Sequence, residues 1–293
     1  MSEGAPDPEV AAGRMGAPPF TLMGVINVTP DSFSDGGRFL APEAAVAQGL
    51  RLEAEGAEIL DIGGESTRPG AAPVTAEEEK ARVLPVIQGL ADCGTSARLC
   101  VDTSKAEVAQ AALQAGATMV NDVTALGDPD MAGVVAEARA GCCLMHMLGD
   151  PRTMQIDPRY EDVVADVKAY LTRRLEFAVA SGIAAERILI DPGIGFGKTM
   201  EHNLELLGRL HELVELGPPV LVGTSRKRFL GELTGRSVEE RLPGTIASCL
   251  VAYEQGATVF RVHDVAPVHD ALLVAAATVS PRWPTTNSAK ATR

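Results

Sequence analysis

Polar residues end each of eight short apolar runs in this sequence, and their types indicate a site for a charged organic ligand. They are Asn27, Asp61, Asp102, Asn121 with Asp122, His146, Asp191, Ser225 with Lys227, and Arg261 with His263. A single Asp or Asn in such a place is most simply a turn or strand-end cap. Eight in succession are not, because burying that many polar groups without partners would cost several kcal/mol each.

The strand-end residues fall into an acceptor-rich group and a cationic group. The acceptors, which suit a heterocycle displaying adjacent N–H and NH₂ donors, are Asp102, Asn121 and Asp191. Arg68, Arg261 and His263 suit a phosphate or diphosphate. Asn27 would add an oxygen ligand to a metal held there, and Mg²⁺ is expected because the ligands are all hard oxygens. We therefore expect a ligand that joins a heterocycle to a diphosphate.

Three segments rich in Gly, Pro and Ser follow predicted strands: VTPDSFSDGG, GGESTRPG and DPGIGFGKT. The first two exceed a typical βα loop of ~2–6 residues and are typical of mobile active-site lids. The third is no P-loop, since Pro192 stands where that motif needs its first glycine, and its G-x-G-x-G spacing fails the dinucleotide fingerprint. Its glycines instead predict close approach of the backbone to a flat ligand. The sequence shows neither zinc-ligand spacing nor a nucleophile elbow.

The elements that must position these residues alternate between short apolar runs and amphipathic segments. Strands are predicted at 21–27, 58–62, 98–102, 118–122, 142–146, 187–191, 219–223 and 258–262, with helices at 42–55, 76–90, 105–115, 160–180 and 203–215 among others. Thr75 and Glu78 form a capping box. Left-handed glycines are expected past helix ends at Gly56, Gly116, Gly182, Gly217 and Gly256. Eight βα units predict a single-domain (β/α)₈ TIM barrel, with an open doubly wound sheet as the alternative.

Composition agrees with one aliphatic domain. The chain has 293 residues, of which 46% are hydrophobic but only 4% aromatic, so the core must consist of Ala, Val, Ile and Leu. Such an interior suits a parallel sheet buried on both faces. We expect the barrel over residues 20–283, between disordered tails at 1–19 and 284–293.

Charge and cysteine content limit the partners and the compartment. A net charge of −13 argues against nucleic acid or an anionic membrane as a general partner, but not against an anionic substrate. No apolar run reaches the ~18 residues of a membrane span, and the first residues do not resemble a signal peptide. The five cysteines are odd in number and lack a C-x-x-C pair, which favours reduced, mostly buried thiols in a cytoplasmic protein.

Two segments, MGVINVTPDSFSDGG and DIGGESTRPG, closely resemble the paired signatures of the dihydropteroate synthase family. The later segments VDTSK, NDV, LMHM, DPGIGFGK, GTSRKRFLG and RVHDV match the same family in the same order, so the resemblance spans about residues 20 to 280. It implies the same barrel, usually as a homodimer, and a folate-biosynthesis enzyme of the class that sulfonamides target. It also implies the condensation of 6-hydroxymethyl-7,8-dihydropterin diphosphate with p-aminobenzoate, with release of pyrophosphate.

The resemblance implies a role for each residue that matches the family's motifs. The pterin would be held by Asp102, Asn121, Asp191 and Lys227, and the diphosphate by Thr67, Arg68, Arg261 and His263. The p-aminobenzoate would contact Phe33, Thr67, Pro69, Phe196 and Lys227, and Asn27 would contact the Mg²⁺. Asp35 in the first loop would order the site or stabilise charge. The catalytic set implied in this way is Asp35, Lys227, Arg261 and His263.

These roles agree with the chemistry of the substitution. Breaking the C–O bond at the pterin methylene leaves a ring-conjugated cation and a diphosphate, so the site must stabilise opposite charges at its two ends. An aromatic amine is a weak nucleophile, which favours a cation-first route without a strong general base.

Several other residues are expected to have supporting or surface roles. His202, His211 and His269 are predicted at the surface, His146 in structural hydrogen bonding, and Lys198 at a solvated helix start. Asp61 and Asp122 are expected to support the site without touching substrate, and the role of Arg228 is open.

Two alternatives share the barrel. A pterin-binding methyltransferase acting with a corrinoid needs no diphosphate grip, so Arg68, Arg261 and His263 count against it. A catalytically silent paralogue that binds pterin could have lost loop residues, yet Asp35 and Arg68 are present.

Overall fold

The strands form a closed parallel barrel. A computed structural model describes residues 19–28, 41–67, 70–151 and 153–279. The strands are β1 (Thr21–Asn27), β2 (Ile59–Gly63), β3 (Arg98–Asp102), β4 (Met119–Asp122), β5 (Gly141–Met145), β6 (Ile188–Asp191), β7 (Leu221–Val222) and β8 (Val259–Val262). They pair in the order β6-β5-β4-β3-β2-β1-β8-β7, and a parallel bridge between Ile190 and Val220 joins β6 to β7. The predicted (β/α)₈ barrel is confirmed, and the open sheet is wrong.

Helices alternate with these strands and cover the outside of the barrel. They are α1 (Ala41–Ala54), α2 (Ala76–Asp92), α3 (Ala106–Gln114), α4 (Met131–Glu137), α5 (Val163–Ala180), α6 (Met200–Gly208), α7 (His211–Val214), α8 (Arg228–Thr234), α9 (Leu242–Glu254) and α10 (Val265–Val279). The prediction of a single helix over 203–215 is wrong, because the helical conformation is interrupted between α6 and α7. Gly208 is a poor helix former, and the Arg209 guanidinium binds Asp162 as well as Glu205 and Glu212.

Local signals explain most helix ends. Thr75 accepts a hydrogen bond from the Glu78 backbone N–H at 3.2 Å, which is the N-cap half of the predicted capping box. Asp162 caps α5 by accepting from the backbone N–H groups of Val164 and Ala165, so this helix begins later than predicted. The five glycines expected past helix ends all have φ between 94° and 117°.

The core has an outer part and an inner part. The outer part lies between sheet and helices and includes Leu52, Val83 and Leu90. The inner part fills the lower barrel with Met23, Ile59, Cys100, Met119, Cys143, Leu221 and Val259. Since side chains alternate along a strand, residues two positions further face the same interior. Four of those residues are polar and lie at the barrel mouth: Asp61, Asp102, Asn121 and Arg261.

The remaining expectations about the whole chain are met in part. Four cysteines are buried and Cys93 is exposed, and all five are free. No helix in the described ranges has the length and apolar character needed to cross a membrane. The predicted tails, apart from Pro19, lie outside the described residues.

Candidate functional site

Arg261 joins the two groups that the sequence suggested were separate. From β8 its guanidinium binds Asp61 on β2 at 2.6 Å and Asp102 on β3 at 2.7 Å. Asn121 on β4 donates its amide to the same Asp61 oxygen at 3.1 Å. Arg261 of the cationic group therefore lies against the acceptor group, because barrel closure brings β8 near β2 and β3.

This cluster holds two carboxylates against one guanidinium. Asp61 is fully buried, and only 13% of the Asp102 side chain is exposed. Burial raises the pKa of Asp102, with Arg261 opposing and Asp61 adding to the shift. Burial alone would lower the pKa of Arg261, but Asp61 and Asp102 hold it above its ordinary value. The guanidinium is thus fixed as a cation between two acceptors.

The loop after β6 brings a third carboxylate, an aromatic ring and a lysine together. Asp191 accepts from the Gly193 backbone N–H at 2.7 Å, and burial raises the pKa of this carboxyl. The Lys227 ammonium lies 4.4 Å from the centre of the Phe196 ring and donates to the Ile194 carbonyl. Burial lowers the pKa of Lys227 to about 8. This lysine therefore links the acceptor group to an aromatic surface.

The glycine at position 193 is required by its surroundings. Its φ is 67°, and a Cβ there would lie 1.9 Å from the carbonyl oxygen of His146. A left-handed residue this close to another backbone cannot carry a side chain. Gly193 thus allows a close contact between the loop and the end of β5, whereas the close approach to a flat ligand stays a prediction.

His263 follows β8 and contacts the segment after β7. Its backbone N–H donates to the Ser225 hydroxyl oxygen at 3.2 Å, and its Nδ1 lies 2.9 Å from that oxygen. Ser225 is buried. Its position at a strand end was visible in the sequence, but its role as a support for His263 was not.

Asn27 ends β1, and Thr67 lies in the segment that follows β2. Thr67, half-buried, lines a cavity of ≈ 250 Å³ beside the loop after β2. Asn27 pairs in register with Gly63, which pairs in turn with Asp102, so the three strand ends lie side by side. Four other predicted site residues lie outside the described residues: Phe33, Asp35, Arg68 and Pro69.

A magnesium ion would need oxygen atoms from the substrate at this site. Among the described residues, no group of three His, Cys, Asp or Glu side chains could hold a metal ion. Asn27 offers one neutral oxygen, and Mg²⁺ is commonly bound by few protein ligands together with substrate phosphates. The residues present therefore fit Mg²⁺ delivered with a diphosphate, rather than a metal held by protein alone.

Two of the supporting residues lie where the sequence suggested. Asp122 accepts from the Thr124 and Leu126 backbone N–H groups at 2.7 and 2.8 Å and shapes the turn after β4. His146 is buried with its Nδ1 2.9 Å from the Lys198 ammonium. Burial, followed by the Lys198 charge, lowers the pKa of His146 to about 3.

Other sequence expectations need correction. Lys198 is not solvated, since it is only 3% exposed. His202 is half-buried and completes a capping box with Thr199, and only His211 of the three histidines is fully at the surface. Arg228 is exposed and binds Glu232 at 2.6 Å. Periodicity could not show these environments, because they depend on how loops fold back onto neighbouring strands.

One polar network near the site was missed. Lys105, before α3, binds Glu65 and the fully buried Glu79, each at 2.6 Å. Glu65 also accepts from the Val74 backbone N–H at 2.9 Å, which closes the base of the loop after β2. A lone glutamate among the small residues of GGESTRPG was the available signal for this anchor.

Comparisons with a family model, with related sequences and with solved structures all indicate the same family. The family model described as "Pterin binding enzyme" matches residues 23–263. The dihydropteroate synthase of Escherichia coli (strain K12) is 45% identical over 259 residues, covering 88% of this chain and 92% of that protein.

Solved structures agree. That of Xanthomonas albilineans dihydropteroate synthase with 4-aminobenzoic acid has a TM-score of 0.84 at 53% identity, covering 89% of this chain and 93% of its own. The same enzyme in complex with 7,8-dihydropteroate gives 0.81 at 50% identity, with 89% and 94% covered. The Yersinia pestis enzyme in a sulfonamide drug complex gives 0.84 at 43% identity, with 88% and 94% covered.

Proposed function

The chain belongs to the dihydropteroate synthase family of pterin-binding enzymes, and we infer from this how its site makes dihydropteroate. It is a transferase that condenses 6-hydroxymethyl-7,8-dihydropterin diphosphate with p-aminobenzoate and releases pyrophosphate. The observation that carries the proposal is the convergence of the Arg261 cluster with Asp191, Lys227 and Phe196 in one barrel mouth.

The pterin fits the acceptor side of this mouth. We assign its N–H and NH₂ edge to Asp102, Asn121 and Asp191, whose oxygens lie on three strands facing one interior. The Lys227 ammonium is placed to donate to the pterin carbonyl. Support comes from the burial of these groups, since a planar heterocycle that replaces water there makes each hydrogen bond stronger.

The diphosphate and the arylamine fit the rim. Arg261, His263, Thr67 and Arg68 are assigned to the diphosphate, and Asn27 would hold the Mg²⁺ that reaches the site with it. When bound, Mg²⁺ would neutralise charge that develops on the leaving diphosphate. The p-aminobenzoate is assigned to the Phe196 ring and Lys227, with Thr67, Phe33 and Pro69 completing its subsite.

The substitution is proposed to pass through a cation-like state. The C–O bond at the pterin methylene breaks with its electron pair leaving on the diphosphate, and the arylamine nitrogen forms the new C–N bond and loses a proton. Arg261 and His263 would stabilise the departing negative charge. Asp102 and Asp191, with Asp35 from the first loop, would tolerate the positive charge on the pterin.

We further propose a cytoplasmic homodimer that is inhibited by sulfonamides. Three exposed apolar side chains, Leu233, Val251 and Val274, lie on the neighbouring helices α8, α9 and α10. An exposed apolar patch of this kind is typical of an interface. The sulfonamide complex of the Yersinia pestis relative supports competition for the arylamine subsite.

A pyrophosphate-release assay tests the function. Purified protein with the pterin diphosphate, p-aminobenzoate and Mg²⁺ should release pyrophosphate, and omitting p-aminobenzoate should abolish the release. Pterin binding without release would indicate the silent paralogue, and methyl transfer from methyltetrahydrofolate to a corrinoid would indicate the methyltransferase. Either result would overturn the proposal.

A further inference from the structure

Lys198 is a buried cation whose contacts are unusual. Its side chain is 3% exposed, and its Nζ lies 2.9 Å from the His146 Nδ1, 3.0 Å from the Phe196 carbonyl oxygen and 3.4 Å from the His146 carbonyl oxygen. No carboxylate within the described ranges forms an ion pair with it. Asp191 contributes an electrostatic attraction, but burial lowers the pKa of Lys198 well below its ordinary value, so no salt bridge accounts for the burial of this residue.

The contacts of Lys198 join two neighbouring strand ends. His146 directly follows β5, whereas Phe196 lies in the loop after β6. The imidazole is itself held firmly, with its ring 4.9 Å from Tyr170 in an edge contact and 6.1 Å from Tyr160. Because its pKa is about 3, the ring is neutral, and its Nδ1 lies within hydrogen-bond distance of the Lys198 Nζ. Lys198 therefore fixes a loop residue to a rigid neighbour.

The loop needs such a fixed point because its glycines leave the backbone free. Gly193, Gly195 and Gly197 all adopt positive φ, between 63° and 84°. Gly195 is held by Asn203 at 2.6 Å and by Gln155 at 2.8 Å.

The two residues after that glycine are held differently. Tyr160 holds Gly197 at 2.7 Å. Phe196 contacts the Lys227 ammonium through its ring, and Lys198 holds its carbonyl. The placement of that ring therefore depends on a contact made behind it.

We propose that Lys198 is a positioning residue of the arylamine subsite, holding Phe196 against Lys227 by tying its carbonyl to His146 at the end of β5. The proposal rests on the proposed function, which assigns the Phe196 ring to p-aminobenzoate. Loss of the tie should weaken arylamine use more than pterin binding. Asp102 and Asn121 lie outside this loop, and Asp191 and Lys227 keep their own hydrogen bonds to Gly193 and Ile194.

The test uses a substitution that keeps the length of the side chain and removes its charge. In Lys198→Met, the KM for p-aminobenzoate should rise by ~10-fold or more, since a displacement of about 1 Å in a site can cost up to ~10²-fold. The Kd of the pterin diphosphate, measured without arylamine, should stay within ~3-fold of the unmodified value. Measuring this Kd beside the KM separates an effect on one substrate from an effect on the other. Lys168→Met on α5, where the ammonium pairs with Glu215 instead of with the loop, serves as the matched control and should change neither value.

His146 provides a second pair of variants. Asn at this position keeps an oxygen near the place of Nδ1, whereas Leu removes every acceptor, so His146→Asn should retain more arylamine affinity than His146→Leu. Folding is followed by urea unfolding. A role confined to stability predicts a lower unfolding midpoint with an unchanged KM, which would overturn the proposal.

Hydrogen–deuterium exchange of a peptide covering residues 193–198 gives a readout that needs no turnover. Faster exchange in Lys198→Met than in Lys168→Met is expected, and equal exchange would overturn the proposal. Failure of the proposed function would appear instead as an absence of pyrophosphate release by the unmodified enzyme, so the two failures are distinguishable.

Discussion

Two layers of the barrel interior, two residues apart along the same strands, have opposite chemistry. The lower layer is apolar and includes Ile59, Cys100, Met119 and Val259. The layer above it on these strands is polar and consists of Asp61, Asp102, Asn121 and Arg261. Both layers face inward from the same strands, so backbone geometry does not distinguish them. The difference is in what burial does to each side chain.

Burial stabilises the apolar side chains of the lower layer and disfavours the charged forms of the side chains in the upper one. Each fully buried aliphatic side chain contributes ~1.5–3 kcal/mol, whereas a buried charge must find partners or change its protonation state. Burial raises the pKa of Asp102 in the upper layer, and it lowers that of Lys227 in the segment after β7. The lower layer thus supports the fold, and the upper layer keeps polar groups dry for a ligand.

The largest effect is expected from removing the cation that holds the upper layer together. Arg261→Ala should lower kcat/KM by ~10³-fold or more, because the loss of a single charge-stabilising donor already costs ~10²–10³-fold. It leaves Asp61 and Asp102 without their shared partner, which should also cost ~3–5 kcal/mol of unfolding free energy. Pyrophosphate release and urea unfolding measure the two effects. The exposed Arg236→Ala is the control, and a loss below tenfold in Arg261→Ala would contradict the assignment.

A smaller and more selective effect is expected from Asp102→Asn. The change replaces a carboxylate by an amide of the same shape, and charge-assisted hydrogen bonds contribute ~1.5–3 kcal/mol. Pterin diphosphate binding should weaken by ~10–100-fold, measured by calorimetry. The unfolding free energy should fall by less than ~1 kcal/mol, because Asp61 still pairs with the Arg261 guanidinium. Unchanged pterin affinity would show that this carboxylate does not hold the heterocycle.

Strand positions were predictable because two signals mark the same places: the short apolar runs between helical segments, and the polar residue at the end of each run. The bounds of β1 and β3 match the prediction, and the other strands differ by one or two residues at an end. Side-chain partners were not predictable. Arg261 and Asp61 are 200 positions apart, and only closure of the barrel brings β8 beside β1 and near β2. The burial of Lys198 likewise depends on a loop folding back on β5, which spacing along the chain does not encode.

The pH dependence sharpens the comparison, because activity and stability should respond in opposite directions. Above a pKa of about 8, Lys227 loses its proton and can no longer donate three hydrogen bonds. We expect kcat/KM to fall by up to ~tenfold per pH unit above that value, because each unit above a pKa leaves a tenth of the acid form.

The sign for stability follows from proton binding. Between pH about 8 and 10.5 the unfolded lysine remains protonated while the folded one does not. The unfolded state then binds more protons, so this group makes the unfolding free energy rise with pH. Lys227→Gln should remove both slopes. A kcat/KM that stays level up to pH 10 would exclude an ammonium as the donor.

The smallest effect is expected in the lower layer, directly beneath Asp61. Ile59→Val removes one buried methylene and should lower the unfolding free energy by ~0.5–1.5 kcal/mol. The kcat/KM should stay within ~twofold, since Ile59 packs in the apolar cluster of the lower layer and Ile→Val is a small change. Urea unfolding and the pyrophosphate assay, run side by side, measure the ratio of the two effects. A tenfold loss of kcat/KM with this small loss of stability would mean that the apolar layer sets the position of Asp61 and Arg261, and the two layers would then be one functional unit.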